Sequence, residues 1–225
     1  MRSSSSASTG CWPPGSKSRS GGTPGGSHPG RVHWLVTVLL ACLAAGCGKA
    51  QHSLGLVAAG GEGICRVAVL PFRDQGKVPF GGHVVQRTFT AELIASGRFD
   101  VALEGEVLAF FRENRQLPQA TLSRDFYIKM GQTMGVDAIV AGTVLGMSEG
   151  SEGRDMVVPE VAFSLELIRI RDGKPLVVTH HHRAGDEYRW LMHVGVVQTI
   201  SELVSRMSKE AIEEWRILGF EGCRL

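Results

Sequence analysis

The sequence predicts an α/β domain, a mixed sheet packed by helices with a long amphipathic helix at its carboxyl end, behind an exported leader. Three observations carry this. Short β-branched runs such as Arg66–Phe72 (RVAVLPF) alternate with segments of helical spacing. The order changes after Leu145 to strand, Asp172-Gly173 turn and strand, the pattern of an antiparallel hairpin. A charge-free apolar run, Val32 to Cys47, precedes all of it. Strands interleaved with helices and followed by a hairpin place the sheet in one α/β sandwich.

The elements follow in chain order. Arg66–Phe72 is short, apolar and closed by Pro71, as a buried strand is. Arg73–Gly82 is a glycine-containing loop. His83–Ser96 sets Val85, Phe89 and Leu93 four residues apart on one helical face, with Gly97 to end it. Phe99–Leu103 is a second strand, and Glu104–Asn114 a short helix with acidic residues in its first turn. Ser123 caps a third helix carrying Phe126, Met130 and Met134, and Gly135 closes it. Asp137–Leu145 is a dense apolar strand. Val161, Phe163, Leu165 and Leu167 then alternate with period two, and Leu176–His182 forms the returning strand. The last helix is predicted from about Trp190 to Leu218, with Ile200, Leu203, Val204, Met207, Ala211 and Trp215 as its apolar stripe. The predicted core comprises Val67, Val69, Phe89, Leu93, Ile139, Val140, Phe163, Leu165, Leu203 and Met207.

The leader sets the compartment. Residues 1–30 are rich in Ser, Gly and Pro and cannot offset ordering entropy, so disorder is expected there; their length also fits a start codon further downstream. Residues 31–46 have the basic flank and short apolar core of an export signal, shorter than the about 20 residues of a comfortable span. Leu43-Ala44-Ala45-Gly46-Cys47 has the form of a lipobox, which makes Cys47 the lipidated residue carrying palmitate-type chains. Leu39-Leu40-Ala41-Cys42 offers Cys42 as the alternative, but would leave apolar Leu43-Ala44-Ala45 on the mature chain. An ordinary signal peptide cut near Ala45, or an uncleaved anchor, is the remaining reading. Residues 47–64 read as the lipidated cysteine plus a flexible, Gly- and Ala-rich tether, and 65–225 as the α/β domain. Gly48 after Cys47, in place of an aspartate, favours the outer membrane, facing the periplasm.

Removing the leader changes the charge. The chain has 24 basic and 22 acidic side chains; four of the basic ones (Arg2, Lys17, Arg19, Arg31) leave with the signal. A mature net charge of about −2 gives no basis for nucleic-acid binding. Of five cysteines, Cys11 and Cys42 also leave and Cys47 is committed to lipid. Cys65 and Cys223 remain, a candidate disulfide in an oxidising compartment or two free thiols.

The segments VAVLPF (Val67–Phe72), GRFDVALEGEV (Gly97–Val107), MGVDAIVAGTV (Met134–Val144) and IRIRDGKPL (Ile168–Leu176) occur in an order that resembles the envelope-protein superfamily containing CsgG, the amino-terminal domain of TolB, and LpoB. The likeness covers roughly Arg66 to Ile217. It implies an α/β domain that binds or assembles envelope proteins, and no catalytic residues. The pore-forming members carry long strand hairpins; Gly146–Glu160 here is short and polar, which argues against a pore.

Candidate chemistry is sparse. His180 and His182 share one face of a strand and His181 the other, so the pair is a weak metal candidate, with Asp186 or His193 as additional ligands. A small exported metal-binding protein or hydrolase centred on His180–His182 is the alternative function; a polar strand end at the surface is the simpler reading. Gly76-Lys77 and Gly81-Gly82 occupy a phosphate-loop position without a phosphate-loop pattern. Ser148, Ser151 and Ser164 lie in no nucleophile motif. Arg169, Arg171 and Lys174 read as a solvated rim able to meet an acidic partner or lipid headgroups, and Trp190 and Trp215 as core residues. The reading is therefore a lipid-anchored protein without a cofactor or an enzymatic activity, binding the membrane through its anchor and envelope proteins through its domain, with a homo-oligomer among the arrangements open to it.

Overall fold

A computed structural model describes residues 52–57, 63–76, 78–118, 120–150, 158–191, 194–220 and 222–223. Its strands are β1 (His52–Val57), β2 (Arg66–Val69), β3 (Arg73–Asp74), β4 (Asp100–Val101), β5 (Ala138–Ser148), β6 (Glu160–Arg169) and β7 (Lys174–Ala184). The helices are α1 (Gly81–Ala95), α2 (Glu104–Glu113), α3 (Arg124–Met134) and α4 (Ile200–Ile217), with a 3₁₀ turn at Gly185–Tyr188.

All seven strands form one mixed sheet in the order β1-β7-β6-β5-β2-β4, with β3 continuing the line of β2 along β5. β2 lies parallel to both β4 and β5, pairings that need crossover connections such as the intervening helices. β5, β6 and β7 form an antiparallel meander, and β1 adds antiparallel to β7. The sheet divides the core into two layers. On one face Val85, Phe89 and Leu93 of α1 and Leu203, Met207 and Trp215 of α4 pack against Val67, Val140, Phe163 and Leu165. On the other, Val107, Phe110 and Phe111 of α2 and Phe126 and Met130 of α3 cover Ala68, Ile139 and Ile168. The period-two alternation of β6 thus sends Phe163 and Leu165 to one layer, and both faces of the central strands are covered. All ten predicted core residues are buried.

Local chemistry sets several boundaries. The Ser123 hydroxyl accepts the backbone N–H of Phe126 at 3.2 Å at the start of α3, and Gly135 caps its end. The Thr199 hydroxyl accepts the N–H of Glu202 at 3.3 Å, which starts α4.

Four expectations are corrected. The final helix begins at Ile200, ten residues after Trp190, because Gly195 stands at φ 91°, outside helical space, and Thr199 supplies the cap. The second strand narrows from Phe99–Leu103 to Asp100–Val101, with Phe99 and Ala102 buried at its ends. The loop expected at Arg73–Gly82 contains β3, since β5 runs past β2 and leaves backbone groups at Thr143 and Val144 for Arg73 and Asp74. The flexible tether expected over 47–64 contains β1, whose register places His52 opposite His181 and Leu54 opposite Thr179. An unpaired edge of β7 offers a row of backbone donors and acceptors, and this template orders a segment with little intrinsic preference.

Candidate interaction surface

The residues singled out from sequence do not converge on one centre. Cys42 and Cys47 lie outside the described residues. Cys65 and Cys223 meet as a disulfide-bonded pair with Cα atoms 4.8 Å apart. The entry to β2 is pinned beside them: one Asp137 carboxylate oxygen accepts the backbone N–H groups of Cys65 at 2.8 Å and Arg66 at 2.9 Å. The Arg66 side chain donates to the Met134 carbonyl at 3.1 Å and pairs with Glu106 at 3.2 Å. The start of the first central strand and the chain's tail are thereby held at one place.

The three histidines divide as strand geometry requires. His181 is 3% exposed, its Nε2 2.9 Å from the Thr179 hydroxyl and its ring centroid 5.3 Å from that of Phe163. Glu214 of α4 stands 4.0 Å from the same nitrogen. His180 and His182 face outward, and His182 meets the Glu160 carboxylate at 2.6 Å. Among the described residues no group of three or more His, Cys, Asp or Glu side chains gathers around them; His193 lies outside those residues. The surface reading thus fits His180 and His182, while His181 belongs to the interior.

Asp74, the last residue of β3, ties the loop that follows it to the start of α1. Its carboxylate accepts the N–H of Gly76 at 2.9 Å and of Gly82 at 3.0 Å, placing a negative group at the helix start. Lys77 lies outside the described residues. In the basic run at the β6–β7 turn Arg171 and Lys174 are exposed, as the solvated-rim reading expects, while Arg169 grips Asp172 with two hydrogen bonds of 2.9 and 2.7 Å. That contact, through the Arg169 hydrogen bond first, holds the Asp172 carboxyl well below the usual carboxylate range.

Trp215 is buried against Phe89, ring centroids 5.6 Å apart. Trp190 is corrected: it is 75% exposed. Its N–H donates to the Val194 carbonyl at 3.1 Å and the Val194 N–H to the Leu191 carbonyl at 2.8 Å. Leu191 and Val194 are also exposed. The 3₁₀ turn before Trp190 is anchored. Glu187 accepts the N–H of Ala184 at 2.9 Å, Arg183 pairs with Glu210 at 3.3 Å, and Arg206 lies 5.2 Å over the Tyr188 ring. Burial raises the Tyr188 hydroxyl above the ordinary phenol range.

Other exposed apolar side chains sit at the same end of the sheet. Ser148, the last residue of β5, pairs with Glu160, which pairs with Ala184, the last of β7. Leu145, exposed in the β5 bulge, lies at this end. Phe80, 80% exposed, precedes Gly81, whose Cα region approaches the Met147 side chain. Sequence periodicity does not reveal this surface, because a loop tryptophan has no face to test.

A second surface feature lies where α1 of one layer approaches α2 of the other, beside Pro71. It is a groove of about 790 Å³ with apolar walls from Pro71, Leu108, Leu117, Pro118 and Ala120. Arg87 and Glu104, 3.4 Å apart, bridge its rim, and Gln86 and His83 also line it. No helix among the described residues is long and apolar enough to cross a membrane.

The fold so defined is a two-faced mixed sheet between pairs of helices, a single α/β domain. It is similar to PelC from Paraburkholderia phytofirmans, solved as a dodecamer, with a TM-score of 0.51 and 14% identity over 77% of this chain and 99% of that one. The lipoprotein GNA1162 from Neisseria meningitidis aligns with a TM-score of 0.46 and 18% identity, over 68% of this chain and 99% of its own. The carboxyl-terminal domain of LpoB from Salmonella enterica aligns at 0.42 and 13%, over 65% and 93%. No family model and no curated protein matches the sequence.

Proposed function

We propose that this protein is a lipid-anchored component of the bacterial cell envelope, held on the periplasmic side of the outer membrane through Cys47, that acts by binding other envelope proteins rather than by catalysis. The observation that carries the protein-binding part is the close run of exposed apolar side chains Trp190, Leu191 and Val194 that follows β7 and its 3₁₀ turn, with Phe80 and Leu145 also exposed. Grouped exposed apolar residues mark contact surfaces, and tryptophan is enriched where such contacts are strongest. The anchor rests on the lipobox form of Leu43–Cys47. Confinement to a membrane surface raises the effective concentration of the domain for its partners, and more than one acyl chain makes the attachment stable. PelC, whose fold is similar, assembles as a dodecamer, and self-association through the same end of the sheet belongs to this proposal.

The test combines fractionation with site-directed crosslinking in intact cells. Cys47→Ser should move the protein out of the membrane fraction or leave it with its leader attached; membrane recovery at the mature size would overturn the anchor. A photo-crosslinking residue at Trp190 should yield discrete adducts with envelope proteins or with a second copy. The same residue at exposed Glu113 should not. Identical patterns at both positions would overturn the contact surface.

A further inference from the structure

We infer that the Trp190 surface meets its partner at the headgroup layer of the membrane that holds Cys47, and that this partner is a protein held in the same membrane. The inference rests on the anchor and the contact surface proposed above, and adds where that surface points. β1 begins at His52, whose register partner is His181, three residues before the end of β7. β1 runs antiparallel to β7, so the chain arriving from Cys47 enters the sheet at the end where β7 finishes. The segment carrying Trp190, Leu191 and Val194 leaves and returns at that same end. The Gly185 N–H donates to the Pro159 carbonyl at 2.8 Å, and the Val197 N–H to the Gly185 carbonyl at 2.9 Å.

Chain length fixes the direction. Cys47 and His52 are five residues apart, a span of about 18 Å when fully extended. Acyl chains on Cys47 hold its backbone at the membrane surface, so His52 stays within that distance of the headgroups. With the domain inverted and the β6–β7 turn against the membrane, His52 would stand level with His181, seven residues along β7 from Lys174. Seven strand residues rise about 23 Å, more than the linker spans. The end of the sheet with Trp190 therefore faces the membrane or lies along it, and does not point away.

The charges beside the run select protein over bare lipid. Peripheral proteins that insert into lipid flank their apolar residues with basic side chains that meet headgroup phosphates. Here Arg189 pairs with Asp186 at 3.7 Å, Arg183 with Glu210 at 3.3 Å and Arg206 with Glu202 at 2.8 Å, while Glu187 is exposed. Exposed Trp, Leu and Val in a charge-balanced setting have the composition of a protein contact. The occupant is a protein that presents an apolar patch at headgroup height.

The test uses the full lipidated chain in vesicles of phosphatidylethanolamine and phosphatidylglycerol. With Cys65 and Cys223 bridged and Cys47 acylated, Leu191→Cys or Lys174→Cys supplies a single thiol for a fluorophore. The ends of β7 are about 34 Å apart, so a headgroup-bound quencher should act at least about threefold more strongly at Leu191 than at Lys174. Insertion of about thirty Gly-Ser residues after Gly48, with a reach of about 30 Å, should erase that difference. Equal quenching at both positions with the natural linker would overturn the direction. Quenching at Leu191 from deep in the acyl chains would put the run in lipid and overturn the protein partner. In cells, a photo-crosslinker at Leu191 should join a protein that fractionates with the membrane even in cells lacking this chain, or a second lipidated copy. A soluble periplasmic partner would overturn the inference and leave the contact surface standing. Absence of lipid on Cys47 would instead overturn the anchor, and this inference with it.

Discussion

The ring of Phe72 lies flat against Gly142, so close that a β-carbon at position 142 would stand 2.5 Å from its ring carbons. Phe72 follows the strand β2 and Gly142 sits in the middle of β5, opposite Leu165. The missing side chain on β5 is the space in which the ring is buried, and the same ring reaches Phe89 of α1 at 6.1 Å. Gly142→Ala should therefore overpack this layer and cost about 1–3 kcal/mol. Denaturant unfolding of the variant measures it, and an unchanged midpoint would show that the ring can move aside.

Phe163 is fully buried between β5, β7 and α4, with His181 beside it. Phe163→Ala should lose about 3–5 kcal/mol. A change below about 1 kcal/mol in the same assay would mean that the surrounding layer collapses into the space.

The Cys65–Cys223 pair closes a loop of 158 residues. In the chain-entropy account such a crosslink stabilises by about 5 kcal/mol, and loss of a native bridge commonly costs about 2–5 kcal/mol. Protein purified from an oxidising compartment should carry no free thiol at these positions and should unfold at lower denaturant after reduction. Cys65→Ser should match the reduced protein; equal stability of all three forms would contradict a structural bridge.

Asp172 gives a pH dependence with a definite sign. Its carboxyl is held below its ordinary value by Arg169, so the folded chain binds that proton more weakly than the unfolded chain. Its stabilising contribution is complete above the unfolded pKa of about 4 and disappears as pH falls through the lower folded value. The stability difference between the unaltered protein and Asp172→Asn should therefore shrink as pH is lowered from 6 toward 2. A constant difference across that interval would place the effect of Asp172 in the turn backbone instead.

Trp190→Ser should leave unfolding within about 0.5 kcal/mol of the unaltered protein, because the ring is exposed. It should at the same time diminish crosslinked adducts formed from Leu191. A large loss of stability would mean that the ring supports the fold instead of presenting a surface.

Much of the fold could be read from local pattern. The spacing of Val85, Phe89 and Leu93, the Ser123 cap, the alternation from Val161 to Leu167 and the turn at Asp172 each depend on residues within a few positions. Those signals set α1, α3 and the β6–β7 hairpin, since periods of 3.6 and 2 decide which side chains share a face. The candidate surfaces were less legible. A histidine triplet and a glycine-rich loop are conspicuous by residue type alone, yet Thr179, Glu160 and Asp74 supply partners within the fold for His181, His182 and the loop's backbone.

By itself, the sequence determined the alternation of elements and the division of each into buried and exposed faces. Only the tertiary structure decided that His52–Val57 pairs with β7, that Cys65 and Cys223 meet, that Trp190 is exposed, and that Gln86 lines a groove. The physical reason is common to all four. Each depends on which backbone edge or side-chain surface remains uncovered after distant segments have packed, and no local window of sequence contains that information.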